Sequence, residues 1–347
     1  MARDSDIQVI APNLKRRLSG VTATIARLVP LQAKMIGIVA TGPGLPGELP
    51  HVPVWRLAFL NRSTRRVFHA RRNTEMLLGL MFTKLLRKNW KLLFTSASQR
   101  KHSGYTKWLI SKMDGVVATS QKTASYLERD ATVILHGINL ESFQPTEFRA
   151  TKRGELNLPE GTYLGCYGRI RHQKGTDAFV DAMITLCTLH EDVHGIVMGR
   201  ATEKHMGYLA DLKAKVADQG LADRIHFMPE VTVDQIPDWY QVLDLFVAPQ
   251  RWEGFGLTPL EAMACGAPVV ATDVGAFAEI VTDPAIGRVV APDDIPALTK
   301  ACADMLENRN TLAEAGIAAR QHVERHFAIE NEARALVEVY QGLLAAE

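Results

Sequence analysis

Apolar residues recur along this chain in short runs separated by longer amphipathic stretches. In the first half, the runs at 7–12, 35–41, 65–70, 91–97, 115–120 and 132–137 have the length and β-branched content of buried strands. Between them, 22–31, 76–88, about 101–112 and 120–129 carry helical patterns. Around 139–158 the periodicity stops, which predicts a linker. It then restarts, with strands at 162–168, 194–199, 224–228, 244–249 and 268–273 and helices at 175–189, 203–217, 234–242 and 257–265. The last fifty or so residues read as helical. Strand alternating with helix implies a parallel sheet covered on both faces. Two such series predict an α/β protein of two doubly wound, Rossmann-like domains facing a cleft. Ligands in such folds bind outside the carboxyl ends of the strands. The expected division is 1–145, 146–330 and a C-terminal helix, 331–347, free to pack back on the first domain.

Composition agrees with two large cores. The chain has 347 residues, 47% of them hydrophobic and 22% charged, which excludes disorder, collagen and coiled coil as the main state. No apolar run reaches the roughly 18 residues of a membrane span, and the first residues lack the apolar stretch of a signal peptide. Four scattered cysteines without a CxxC pair predict reduced thiols and a cytoplasmic setting. Charge is divided unevenly. Residues 1–150 hold 23 Lys/Arg against 9 Asp/Glu, a net of +14, and residues 151–347 hold 17 against 29, a net of −12. Within 56–112 there are 14 basic residues and one acid, Glu75. That asymmetry suggests different partners for the two halves.

Two motifs fail in context. Gly42-Pro-Gly44-Leu-Pro-Gly47 has the GxGxxG spacing of a dinucleotide loop, but Pro43, Pro46, Pro50 and Pro53 prevent the helix that the fingerprint requires. Asp4-Ser5-Asp6 resembles a metal-binding DxD, yet it does not follow an internal strand. No metal site is expected.

The densest chemistry lies in 251–281. Glu253 follows a predicted strand, Gly254-Phe255-Gly256 comes next, and Thr258-Pro259 suits the first turn of a helix. Glu261 stands eight residues after Glu253. Glycines at a helix start let backbone N–H groups approach an anion, and the two carboxylates can accept hydrogen bonds from different parts of one bound molecule. About eighty residues earlier, Gly168-Arg169 and Lys174-Gly175 follow another strand. A forked, permanent Arg charge and a Lys point charge together suit a diphosphate.

These segments, with the linker-proximal stretch 131–145, resemble glycosyltransferase family 4, the retaining "group 1" transferases of GT-B fold. The stretches 16–28, 67–77 and 94–110 resemble more narrowly the bacterial lipopolysaccharide core mannosyltransferases. The resemblance implies that Arg169 and Lys174 bind the donor diphosphate. It implies that Glu253 contacts the transferred sugar, that Phe255 and Gly256 lie near the diphosphate, and that Glu261 binds the ribose hydroxyls. Gly20 matches the first-domain glycine loop that faces the donor phosphates, though one glycine stands where many members have two. His69 lies near a family histidine, but Arg71 and Arg72 replace the continuation of its HxH pattern, and His102 is a second candidate. These four are the candidate acceptor-side residues.

The implied activity is transfer of a hexose, mannose from GDP-mannose, onto a lipopolysaccharide core acceptor, without metal or other cofactor. The alternatives are another GT-B nucleotide-sugar enzyme such as an epimerase, or a family 4 transferase with a different donor and acceptor. No nucleic acid is expected as a partner. The basic stretch 56–112, with interleaved apolar residues, predicts peripheral docking on the anionic inner face of the cytoplasmic membrane.

Overall fold

A computed structural model describes residues 4–16 and 20–346. The chain divides into two compact units, Met1–His136 with Ile329–Glu347, and Gly137–Ala328. Both breaks fall earlier in the sequence than the expected 145/146 and 330/331.

The first unit runs β1 (Val9–Pro12), α1 (Gly20–Gln32), β2 (Ile38–Thr41), β3 (Arg66–Ala70), α2 (Asn73–Lys84), β4 (Trp90–Ser96), α3 (Gly104–Ser111), β5 (Gly115–Ala118), α4 (Gln121–Ala124) and β6 (Thr132–Val133). Its strands form one parallel sheet in the order β2-β1-β3-β4-β5-β6. β1, β2 and β3 bury every residue, as expected where helices cover both faces.

The second unit runs α5 (Arg149–Glu155), β7 (Thr162–Tyr167), α6 (Thr176–Leu189), β8 (Val193–Met198), α7 (Met206–Asp218), β9 (Ile225–Met228), α8 (Ile236–Gln241), β10 (Leu245–Ala248), α9 (Thr258–Ala264), β11 (Val269–Thr272), α10 (Phe277–Ile280), β12 (Gly287–Val290), α11 (Ile295–Leu306) and α12 (Arg309–His326). Its parallel sheet has the order β12-β11-β10-β7-β8-β9. The last helix, α13 (Ile329–Ala345), belongs to the first unit, where Leu336, Val337 and Tyr340 pack with Ile25, Leu28 and Val29 of α1.

Several elements depart from expectation. The linker contains α5, which buries no residue and so has no apolar stripe to read. Charge anchors it instead: Arg149 and Arg153 donate to the two oxygens of Asp244 at 3.0 and 2.6 Å, and Arg153 also caps the Gly161 and Val242 carbonyls. β12 went unread because it is a half-exposed edge strand carrying Arg288. The helix expected at 76–88 starts earlier, at Asn73, and ends at Lys84. β6 is two residues long, and α4 covers four of the ten residues expected to be helical. No helix begins at Gly42–Gly47; Asn13 Nδ2 donates to the Pro43 carbonyl at 2.7 Å and pins that loop. Asp4 is committed to an ion pair with Arg56 at 2.8 Å.

Candidate active site

In the second sheet β7 has β8 on one side and β10 on the other, so connections leave in opposite directions between β7 and β10. This is the switch point where an open α/β sheet forms its crevice. The chain leaving β7 turns through a 3-10 segment, His172–Lys174, into Gly175. Gly175 has φ 68°, and a Cβ there would lie 1.8 Å from the Pro249 carbonyl oxygen. Only glycine lets the turn after β7 close against the residue that follows β10.

Arg251 locks the two loops together. Its backbone N–H donates to the Gln173 carbonyl at 3.0 Å and its guanidinium to the His172 carbonyl at 2.6 Å. The guanidinium also grips Asp177 through two hydrogen bonds, 2.7 and 2.9 Å, and Asp177 accepts a third from Tyr208 Oη at 2.8 Å. Burial pushes the Asp177 carboxyl up, but the bonds from Arg251 and Tyr208 outweigh it and hold the group below its usual value. Bidentate pairing of this kind fixes position as well as charge.

On that frame the Lys174 ammonium and the Glu253 carboxylate form an ion pair, each side chain about four-fifths buried. The other carboxylate oxygen of Glu253 accepts from the Gly254 N–H at 3.0 Å. Gly256, φ 92°, leaves room for this arrangement: a Cβ there would stand 3.0 Å from Glu253 Cγ and 2.2 Å from the Phe277 ring. Phe255 sends its ring into the interior, and its carbonyl accepts from Ala276 at 3.0 Å. Its contribution to a ligand is therefore limited to the backbone. The Gly254 N–H, expected to face an anion, is engaged by Glu253 instead.

Glu261 lies in the first turn of α9 and accepts from Tyr240 Oη at 2.7 Å. Tyr240 is buried against Tyr167 and Phe246, and burial, followed by the Glu261 charge, holds its phenol well above the usual pKa. The phenol stays a donor, and it holds Glu261 from beneath. Arg169 is exposed beside Gly168, and among the described residues its guanidinium has no partner. The structure thus joins Lys174 with Glu253, fixes Glu261 on Tyr240, and leaves Arg169 free.

The remaining candidates lie in the first unit. Gly20 opens α1 and is exposed; Arg17–Ser19, part of the 16–28 motif, lie outside the described residues. His69 is fully buried and cannot meet an acceptor directly, which corrects that expectation. Its Nδ1 accepts from Tyr340 Oη at 2.7 Å and Nε2–H donates to Thr95 Oγ1 at 2.6 Å. Burial, then the Arg71 charge, holds its pKa well below the usual value, so the ring is neutral. Arg71, Arg72 and His102 line one cavity near it.

Four supporting residues were missed in the sequence: Asp177, Tyr208, Tyr240 and Arg251. Arg251 stands two positions before Glu253 and was legible as a charge. Its partners, 74 residues away at Asp177, were not.

Comparison with known proteins adds the family. The family model described as glycosyl transferases group 1 matches residues 148–322. The chain is 52% identical, over 98% of both sequences, to the lipopolysaccharide core biosynthesis mannosyltransferase LpsB of Rhizobium meliloti. It is 48% identical to LpcC of Rhizobium leguminosarum bv. viciae, also a lipopolysaccharide core biosynthesis mannosyltransferase, over 98% of this chain and 97% of that one. Among solved structures, Anabaena HepE in complex with UDP superposes with a TM-score of 0.83 at 17% identity, covering 97% of this chain and all of that one. That likeness concerns the fold, which is GT-B. With near-complete coverage at this identity, and with the carboxylates and cations of its crevice falling inside the matched region, the chain belongs to the group 1 glycosyltransferases.

Proposed function

We propose that this chain transfers mannose from GDP-mannose to a lipopolysaccharide core acceptor, with retention of anomeric configuration and without a metal. The observation that supports this most is the 52% identity to LpsB along the whole length. The geometry of the second unit supplies a chemical basis. A donor diphosphate would compete for Lys174, now paired with Glu253, and meet Arg169, which has no competing partner. As the bond from the anomeric carbon to the diphosphate breaks, the electron pair leaves with phosphate. Arg169 and Lys174 stabilise that charge from fixed positions. The acceptor hydroxyl oxygen bonds to the anomeric carbon on the same face, and its proton passes to the departing phosphate oxygen. Glu253, released from Lys174, accepts hydrogen bonds from sugar hydroxyls, and Glu261 from the ribose.

We place the protein at a membrane surface through its first unit. α2 has two faces: Met76, Leu80 and Phe82 are buried, whereas Leu77, Met81 and Leu85 are exposed at a four-residue spacing. Beside α2, the stacked pair Tyr105–Trp108 on α3 is half exposed, among Lys101, Lys107 and Lys112. Trp55 and Phe59 extend the exposed apolar set. Exposed apolar residues in a basic stretch of chain suit an anionic lipid surface. Within the same basic stretch, Trp90–Phe94 is part of an internal strand and does not contribute. Among the described residues no helix is long and apolar enough to cross a membrane.

A thermal-shift panel of nucleotide sugars, followed by transfer to lipopolysaccharide core fragments with product analysis, tests the reading. A free epimer or monosaccharide as the sole product would place the chain with the nucleotide-sugar epimerases instead.

A further inference from the structure

The first unit has its own switch point, between β1 and β3, and a cavity of about 460 Å³ opens at the carboxyl ends of β1, β3 and β4. Lys15, Arg71, Arg72, Arg100 and His102 line it, and among the described residues no carboxylate does. One of these charges is matched: Arg72 pairs with the buried Glu75 at 2.9 Å. The others are not. Among the described residues the Arg71 guanidinium bonds only neutral groups, the His69 carbonyl at 3.2 Å and His69 Nδ1 at 3.3 Å among them, while the Arg71 backbone N–H donates to Glu75 Oε2 at 2.8 Å. Lys15 and Arg100 are exposed and, among the described residues, have no acidic partner.

Two polar atoms in the wall also lack partners. Ser96 is 1% exposed and its Oγ has no hydrogen bond, and His102 Nε2 is likewise buried without one. Buried polar atoms without partners are costly unless a ligand completes them, and the cations around this cavity favour an anionic one. The cavity's size suits a sugar-sized group.

We infer that this cavity is a subsite for an oxyanion, a carboxylate or a phosphate, carried by the acceptor saccharide. The assignment to the acceptor rests on the transferase reading above. The anion's oxygens meet Lys15, Arg71 and Arg100, and Ser96 Oγ donates to one of them. The buried His69–Tyr340 pair beneath Arg71 holds that guanidinium at the cavity wall.

The test is calorimetric titration of the full chain with three probes: inorganic phosphate, methyl glucuronide and neutral methyl glucoside. Wild type is compared with Lys15→Ala and Arg100→Ala, both surface changes that leave the core intact, and with Ser96→Ala. At least one anionic probe binds wild type and methyl glucoside does not. Loss of one charged donor weakens the anion by roughly tenfold or more. Phosphate and glucuronide arms tell which anion the site prefers. Dependence on Lys15 and Arg100 separates this cavity from the cations of the second unit. Anion affinity that is absent, or unchanged in all three variants, overturns the subsite. Sugar transfer is assayed in parallel. A transferring enzyme with indifferent anion binding overturns the subsite alone; anion binding that follows the variants in a chain without transferase activity overturns the transferase reading and leaves an anion site.

Discussion

Lys174 and Glu253, 79 residues apart in sequence, form an ion pair at the ends of the neighbouring strands β7 and β10. Each neutralises the other while no donor is bound. Under the proposed reading, an arriving diphosphate draws Lys174 away and frees the carboxylate for the sugar, so that donor binding and activation of the site are one exchange of partners. Removing the lysine does more than delete a cation, because it leaves Glu253 as an unmatched negative charge facing an anionic substrate.

The two glutamates should separate kinetically. Glu253→Gln lowers kcat with little change in donor KM, since contacts to the reacting sugar tighten as it flattens. Glu261→Gln raises donor KM with kcat nearly retained, because ribose contacts are equal in ground and transition states. Tyr240→Phe, which removes only the 2.7 Å donor beneath Glu261, gives a smaller change in the same direction. Steady-state kinetics at varied donor concentration checks this. A fall in kcat for Glu261→Gln as large as that for Glu253→Gln would show that the assignment of the two carboxylates is wrong.

His69 predicts a pH effect on stability. Its folded pKa is depressed, so the unfolded chain binds a proton more readily and stability rises with pH through this window. The contribution is complete above the unperturbed 6.5 and is lost as pH falls toward the lower folded value. His69→Ala, which empties a buried site and takes a hydrogen-bond partner from both Tyr340 and Thr95, costs roughly 2–4 kcal/mol at neutral pH. Urea denaturation at several pH values should show the gap between wild type and variant narrowing below 6.5.

Catalysis should survive chelation. If Arg169 and Lys174 meet the leaving charge, as proposed, transfer rates measured with and without EDTA agree. Complete loss on chelation, restored by a divalent cation, contradicts that role for the cations.

How much of this was legible in the sequence depends on what each residue answers to. Strands such as β1, β3 and β7 bury every residue, so their apolar runs announced them. α5 and β12 answer to charge and to a sheet edge, and no hydrophobic period marks either. At the site, Glu253, Glu261, Arg169 and Lys174 stood out because carboxylates and cations after strands carry chemistry wherever the chain folds. Their mounts did not. Arg251 reaches Asp177, and Tyr240 reaches Glu261, only through the three-dimensional order of β7, α8 and β10. His69 shows the opposite failure: the family resemblance made it a candidate acceptor-side residue, while the structure seals it under α13 through Tyr340.

Membrane docking has its own assay. Co-sedimentation with anionic vesicles at low salt should retain the protein, and added salt should release it, since exposed charges are screened within about 10 Å at 0.1 M. Leu85→Ser with Trp108→Ser, both at exposed positions, should weaken retention without unfolding. Binding indifferent to lipid charge and salt is incompatible with this docking surface.

The most direct test of the account is mannose transfer from GDP-mannose to a lipopolysaccharide core fragment by wild type and by Lys174→Ala at saturating donor. The account predicts a retained-configuration mannosyl product from wild type. It also predicts a loss of about 10²-fold or more in turnover for the folded variant, the scale for removing one preorganised charge-stabilising donor. Near-normal turnover in Lys174→Ala, or no mannosyl product from the wild-type enzyme, would contradict it.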